Sequence, residues 1–350
     1  MGKRRNRETN KPNRKLFVAR LILYAGCPML ATAVGYFLMI SMPGRSFSGS
    51  LPPLTQEEEE VRDRLKQHIE MLAGEIGERN LWQYEALERS AAYIETKLKE
   101  AQYRPADQFF EVERKKVRNL EAEAAGAQSD EIVLVSGHYD SVRSCPGAND
   151  NGTGAAAMLE MARLLAGRKF RRTVRFVAFV NEEPPFFQTG NMGSLVYARR
   201  CRERKEKIVA MFSMETIGYY SDARRSQRYP FPFSFFYPDT GNFVAFVGNA
   251  GSRNAVREAI RSFREHTSFP SEGAAVPGGL PGIGWSDHWS FWKCGYPGVM
   301  VTDTATFRYP HYHLDSDTPD KVDYDRTARV VVGMTRVVAE LAGEEQVAGR

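Results

Sequence analysis

Imidazoles and carboxylates gather in a few short segments of this 350-residue chain, and most of these segments directly follow an apolar run. Ser136-Gly137-His138-Tyr139-Asp140-Ser141 follows Ile132-Val133-Leu134-Val135, and Asn181-Glu182-Glu183 follows the run 174–180. Glu215-Thr216-Ile217-Gly218 follows the run 208–214. Near the end, Tyr309-Pro310-His311-Tyr312-His313-Leu314-Asp315-Ser316-Asp317-Thr318 places two imidazoles in a polar stretch. Imidazole and carboxylate are the donors that hold divalent ions, and catalytic metal sites leave one position open for water. Two adjacent acids at the end of an apolar strand are costly unless paired or metal-bound. Glu182 and Glu183 therefore suit separate roles, one holding metal and the other handling the proton of a water. His138 and Asp140 share a face if the extended geometry continues, and a carboxylate beside a ligating imidazole fixes its tautomer. Gly147-Ala148-Asn149-Asp150-Asn151-Gly152-Thr153-Gly154 surrounds one Asp with small and turn residues, a backbone shaped to present Asp150 closely enough to bridge two metals. Each segment also has a plain reading: a helix-capping loop for 147–154, a solvated loop start for the Glu pair, and structural imidazoles for His288 and His311.

The elements that must position these residues alternate. Helices are expected at 56–73 (opened by Thr55 as N-cap before four glutamates), 80–101, 153–166, 191–203, 252–265 and 324–341. Apolar strands are expected at 132–135, 174–180, 208–214, 243–247 and 298–301. This pattern predicts an α/β fold, a three-layer sandwich on a mostly parallel mixed central sheet. In such sheets ligands bind beyond the carboxyl ends of the strands, where these acids and imidazoles fall. Two long loops are expected: 219–241, dense in aromatics and proline, and 272–285, rich in glycine and proline.

The amino terminus has another character. Residues 1–20 hold eight basic residues against one Glu, a charge of +7, so the remainder carries −2 of the total +5. The basic balance therefore belongs to a tail, and no nucleic-acid partner is expected for the main domain. Leu21 to Met42 is 22 residues without a charge, long enough for a single transmembrane helix. With the basic tail 1–20 held cytoplasmic, the domain beyond the anchor 21–42 and the Pro/Gly/Ser-rich linker 43–54 is expected outside the cytoplasm. A cleaved signal peptide and a lipidated Cys27 are the competing readings. Cys145, Cys201 and Cys294 show no paired spacing and read as free thiols.

The order His138-x-Asp140, Asp150-Asn151, Glu182-Glu183, an acid at 215 and His313-xxx-Asp317-Thr318 resembles the co-catalytic zinc aminopeptidases, a family that also contains glutamate carboxypeptidases and glutaminyl cyclases. The resemblance covers roughly residues 80 to 340, and makes 55–345 a zinc exopeptidase domain acting on peptides. It implies two zinc ions: one held by His138 and Glu215, the other by Glu183 and His313, with Asp150 bridging. It makes Glu182 the general base and Asp140 the group that orients His138. His313 is preferred to His311 because the family places Asp-Thr four and five residues after its ligand. It also implies a cis Asp150–Asn151 peptide, and a supporting role for Ser286-Asp287-His288. One departure stands out, since most such aminopeptidases carry Asp where this chain has Glu215. Three alternatives remain: a single-zinc glutaminyl cyclase, a carboxypeptidase using Arg143, Arg224, Arg225 or Arg228 to hold a terminal carboxylate, and a non-enzymatic receptor or scaffold.

Overall fold

The structure is a computed structural model that describes Tyr24, residues 27–127 and residues 130–345. The chain divides into two units, one ending at Ser41 and one beginning at Met42. The described helix of the first, α1 (Cys27–Met39), has 13 residues. The basic tail and the start of the expected span lie outside the described residues, and no helix among the described residues is long and apolar enough to cross a membrane.

The second unit opens with α2 (Gln56–Ile69), where Thr55 and Glu58 form a reciprocal capping box. There follow α3 (Tyr84–Glu100), β1 (Ala106–Val112), β2 (Lys115–Ala124), β3 (Glu131–His138), α4 (Thr153–Leu165), β4 (Thr173–Phe179), α5 (Gly193–Glu203) and β5 (Lys207–Glu215). Then come β6 (Val244–Gly248), α6 (Arg253–His266), β7 (Ser271–Ala275), α7 (His288–Lys293), β8 (Gly298–Thr302), α8 (Ala305–Arg308) and α9 (Tyr324–Ala342). The strands form one eight-stranded sheet in the order β1-β2-β4-β3-β5-β8-β6-β7. Its centre, β4-β3-β5-β8, is parallel, and β6 and β7 are parallel to each other. β1, β2 and the β8–β6 junction add antiparallel pairings.

Residues alternate between two cores because successive side chains of a strand leave opposite faces. Val133 and Val135 face the larger core beneath α2, α4, α6 and α9, whereas Ile132 and Leu134 face the smaller one with Tyr197 of α5 and Phe291 of α7. This gives the three expected layers. The β3–β4 connection runs through α4 on one face and the β4–β5 connection through α5 on the other. The chain therefore reverses direction across the sheet at the carboxyl end of β3, which is the kind of crevice where open α/β sheets bind ligands.

Two regions depart from the sequence expectation. Residues 102–131 carry a hairpin, β1 and β2, and the loop expected from 272 begins instead after β7. Segment 43–54 has no regular structure but lies against the body: Arg264 donates to the Pro43 carbonyl, the Ser271 amide to Ser46 Oγ, and Arg329 to the Pro52 carbonyl. All four cysteines are free, and Cys145 and Cys201 are buried.

Candidate functional site

His138 is the last residue of β3, and Glu215 the last of β5. Glu182 and Glu183 follow β4 after Asn181, which is held at φ 58°. Asp150 lies in the turn 148–152 that enters α4, and its peptide bond to Asn151 is cis. That turn fits against the strand ends because Gly137 and Gly154 lack side chains: a Cβ on Gly154 would strike the Met214 carbonyl and the Asn151 side chain, and one on Gly137 would strike the Gly154 backbone. Asn151 joins the turn to β5, with Nδ2 donating to the Met214 carbonyl at 2.9 Å and Oδ1 accepting from the amides of Gly154 and Thr216. His313 is itself at φ 59° and Thr216 at φ 43°. Non-glycine residues in this left-handed region carry strain, and such residues gather at functional sites.

The folded chain brings the sequence-expected residues together. Nε2 of His138 lies 3.5 Å from Asp150 Oδ1 and 3.4 Å from Glu215 Oε2. Nε2 of His313 lies 3.1 Å from Asp150 Oδ2 and 3.3 Å from Glu183 Oε2. The two oxygens of one carboxylate thus face two different imidazoles, each with a second acid beside it. Donor atoms of His138, Asp150 and Glu215 lie within 4.8 Å of one another, as do those of Asp150, Glu183 and His313, and of His138, Glu182 and Glu183. Glu182 Oε2 is 3.8 Å from His138 Nε2. Asp140 sits behind: its carbonyl is 3.2 Å from His138 Nδ1, its carboxylate Oδ1 is 3.5 Å from the same nitrogen, and the two carboxylate oxygens accept the amides of Glu182 and Glu183. His311 turns away to Ser316 Oγ, and His288 Nε2 lies 2.7 Å from the Ile283 carbonyl.

The charges in this crevice depend on each other. Burial pushes Glu182 well above the usual carboxylate range, against the pull of His138, and Glu215, Glu183 and Asp287 add to the rise. Burial and the neighbouring Asp150 lift Glu183 to about 7, and burial also raises Glu215. Burial would raise Asp150 too, but His138 and His313 hold it below the usual range. Burial would lower His313, yet Asp150 and Glu183 bring it to about 10. Each imidazole and the acids around it thus favour one another's charged form. The donor set is nitrogen and oxygen only, and His138 Nε2, His313 Nε2 and Glu183 Oε1 are buried without a hydrogen-bond partner among the described residues. Such orphaned donor atoms fit divalent metal ions.

Supporting residues complete the site: Ser286 and Asp317 lie in segments that the resemblance marks, whereas Asp303 and Arg79 are unmarked in the sequence. Ser286 Oγ donates to Glu215 Oε2 at 2.7 Å, and the Asp317 carboxylate accepts the amides of Asn149 and Asp150 and the Tyr309 hydroxyl. Asp303 accepts from Asn149 Nδ2 and the Tyr219 amide. Arg79 is fully buried in the turn between α2 and α3, and donates to the carbonyls of Tyr139 and Gly147 at 2.7 Å each and to Pro146. It also donates to the nearby carbonyls of Leu72 and Gly77, but the three partners at the site lie 60 to 68 residues away along the chain, so no local pattern marks its role there. Beside Glu215 and Tyr312 an apolar cleft opens, walled by Tyr229, Phe233 and Tyr237 of the aromatic loop and by Ile283, Trp285 and Phe307. Arg143, Arg224, Arg225 and Arg228 are exposed, and Arg143 lies over the Trp82 ring.

Residues 119–338 match the family model of Peptidase family M28. The chain is 36% identical over 281 residues to YfbL of Escherichia coli (strain K12), an uncharacterized protein, covering 78% of this chain and 86% of that one. It is 29% identical over 226 residues to the aminopeptidase YwaD of Bacillus subtilis (strain 168), covering 62% of this chain and only 42% of that relative's length. Among solved structures it is similar to BSAP, a zinc aminopeptidase from Bacillus subtilis, with a TM-score of 0.66 at 17% identity over 82% of this chain and 96% of that one. It is also similar to a glutaminyl cyclase from Fimbriiglobus ruber, with a TM-score of 0.58 at 22% identity over 85% and 99% of the two chains. At these identities the likeness to solved structures is one of fold.

Proposed function

The chain belongs to peptidase family M28 and is by that membership a zinc metallopeptidase, and from this premise we propose that it removes amino-terminal residues from peptides with two zinc ions and Glu182 as general base. One observation carries the reading: His138 and His313 face different oxygens of Asp150, each with its own second carboxylate, Glu215 or Glu183. His138, Glu215 and one Asp150 oxygen would hold one ion, and His313, Glu183 and the other Asp150 oxygen the second. When bound, a zinc pair lowers the pKa of a water and polarises a scissile carbonyl.

The rest of the chemistry belongs to side chains. Glu182 takes the proton of the attacking water and delivers it to the leaving amine, which suits an acid whose burial has raised its pKa. Asp140 fixes the backbone of both glutamates through their amides, so the base and its ligand neighbour move as one piece. The apolar cleft receives the terminal side chain and keeps water from it.

Metal analysis of the purified protein, with a panel of aminoacyl-arylamides and a glutaminyl peptide, tests this. Two zinc ions per chain and release of arylamine are expected. One zinc with cyclisation of the glutaminyl peptide would overturn the reading in favour of a cyclase, a chemistry the shared fold does not separate from hydrolysis. We propose further that residues 21–42 anchor the chain and that the domain lies outside the cytoplasm, because eight basic residues crowd one flank and Arg45 alone lies just beyond the other. A periplasmic-type reporter fused after residue 60 should be active, and a cytoplasmic-type reporter at the same site active instead would sink the topology.

A further inference from the structure

The cleft beside the metal ligands holds a charged residue that the reaction above does not use. Strand register places it. Glu215 pairs with Thr302, Thr302 with Ala245, and Ala245 with Glu272. Residues directly opposite on neighbouring strands leave the same face, so these four side chains form one row across β5, β8, β6 and β7. With strands ~4.8 Å apart, the Cα atoms of the two glutamates are about 14 Å apart. Thr302 and Ala245 between them are short, so the row is a trough with a carboxylate at each end, and all four residues line the cleft.

The neighbouring row, Val301, Phe246 and Gly273, faces the other way. Phe246 packs edge-on against Phe263 of α6, and a side chain at Gly273 would strike Met42. Glu272 is thereby directed into the cleft, among Tyr229, Tyr237 and Phe307. No hydrogen bond or ion pair to its carboxylate is found among the described residues. The cation that acts on it, Arg264, is engaged with the Ser271 carbonyl and hydroxyl and with the Pro43 carbonyl. Burial raises Glu272 above the ordinary carboxylate range, as expected for an acid short of a partner.

We propose that Glu272 is a specificity-determining residue and that the cleft selects a basic terminal side chain, lysine or arginine. The alkyl stem lies along the aromatic wall while the charged tip meets Glu272. A leucine or methionine rooted at the Glu215 end would stop over Thr302 and Ala245. The inference rests on the aminopeptidase reading above, which sets the terminal residue at that end.

The zinc-loaded enzyme should be assayed on arginyl-, lysyl-, leucyl- and methionyl-arylamides as wild type, Glu272→Gln and Glu272→Asp. The wild type should favour basic over apolar residues in kcat/KM. Glu272→Gln should lower the arginyl-to-leucyl ratio roughly tenfold or more, mainly through KM, and Glu272→Asp should restore part of it. A ratio that Glu272→Gln leaves unchanged, or a wild type that prefers leucine, overturns the assignment. Calorimetric binding of arginine amide and leucine amide separates this from failure of the reaction itself. If no arylamide is cleaved, the aminopeptidase reading falls, while tighter arginine amide binding that is lost in Glu272→Gln still supports the subsite and equal binding overturns it.

Discussion

Glu182 and Glu183 are the same side chain in adjacent positions, and their surroundings set them apart. Glu183 Oε2 lies 3.3 Å from His313, whereas Glu182 is 3.8 Å from the nearest imidazole nitrogen and more strongly raised by burial. Glu182→Gln should lower kcat by roughly a thousandfold while metal content stays near wild type. Glu183→Gln should lose metal along with activity. Turnover measured beside metal per chain decides this, and metal loss in Glu182→Gln with metal retained in Glu183→Gln would reverse the roles. At Glu215, where the commoner residue of the resembled family is Asp, Ser286 holds the longer carboxylate 3.4 Å from His138. Glu215→Asp keeps the charge and the oxygen donor but moves them by one methylene away from Ser286. Measurable activity should remain, with zinc affinity reduced at one site, and equal loss at both sites would refute the assignment. These acids were legible in the sequence because an acid directly after an apolar run has a desolvation cost to explain. Arg79 and Glu272 were not, because their meaning lies in partners brought near only by folding, and Ser286 was reached through the family resemblance alone.

Among the elements, the parallel centre of the sheet and the helices around it were legible, since buried strands read as unbroken apolar runs and α9 keeps its apolar spacing through Val330, Val331, Met334 and Val338. The β1–β2 hairpin was not. Its turn is Glu113-Arg114, both with positive φ, in place of the Asn-Gly or Asp-Gly pairs that signal such turns. β7, Ser-Glu-Gly-Ala-Ala, lacks strand-forming residues and owes its form to pairing with β6. Helix packing also rests on a buried polar tie. Glu160 of α4 meets His68 of α2 at 3.3 Å and Arg163 at 2.9 Å, and His68 Nδ1 is 2.7 Å from Tyr93 Oη of α3. Burial alone would raise Glu160, but His68 and Arg163 hold it below its ordinary value. A depressed carboxylate adds stability above its unfolded pKa, about 4.3, and that stability is lost as pH falls through the folded value. Glu160→Gln should therefore cost on the order of 2 kcal/mol at pH 7, with the gap to wild type closing in more acid solution. Thermal melts across pH test it, and a gap that stays constant down to the lowest pH would show that the ion pairs are not its source. Arg79→Lys should also destabilise, by about 3 kcal/mol, because an ammonium cannot span the carbonyls that the guanidinium fork joins. An unchanged melting temperature would dismiss that role.

At the scale of the whole molecule, the loops that carry the site come from distant parts of the chain and meet only through it. Asp150 arrives from the entry to α4, Glu183 from the end of β4, Glu215 from the end of β5, and His313 from the loop before α9. Their acids sit in one buried crevice, where like charges repel and each depends on an opposite charge for its ionised form. Cations bound by the folded chain and not by the unfolded one stabilise by mass action, about 2.7 kcal/mol for each site at a hundredfold excess over Kd. Removing zinc with a chelator should thus lower the melting temperature by several degrees as well as abolish hydrolysis, and zinc added back should restore both. The two sites should separate in Glu215→Ala, which loses a ligand from the His138 side and keeps Glu183, His313 and Asp150 intact. That variant should bind close to one zinc, show roughly half the zinc-dependent rise in melting temperature, and hydrolyse poorly. Should it bind two zinc ions with wild-type affinity, Glu215 is a structural acid held by Ser286, and the ion beside His138 draws its remaining ligand from another residue, Glu182 being the nearest candidate at 3.8 Å.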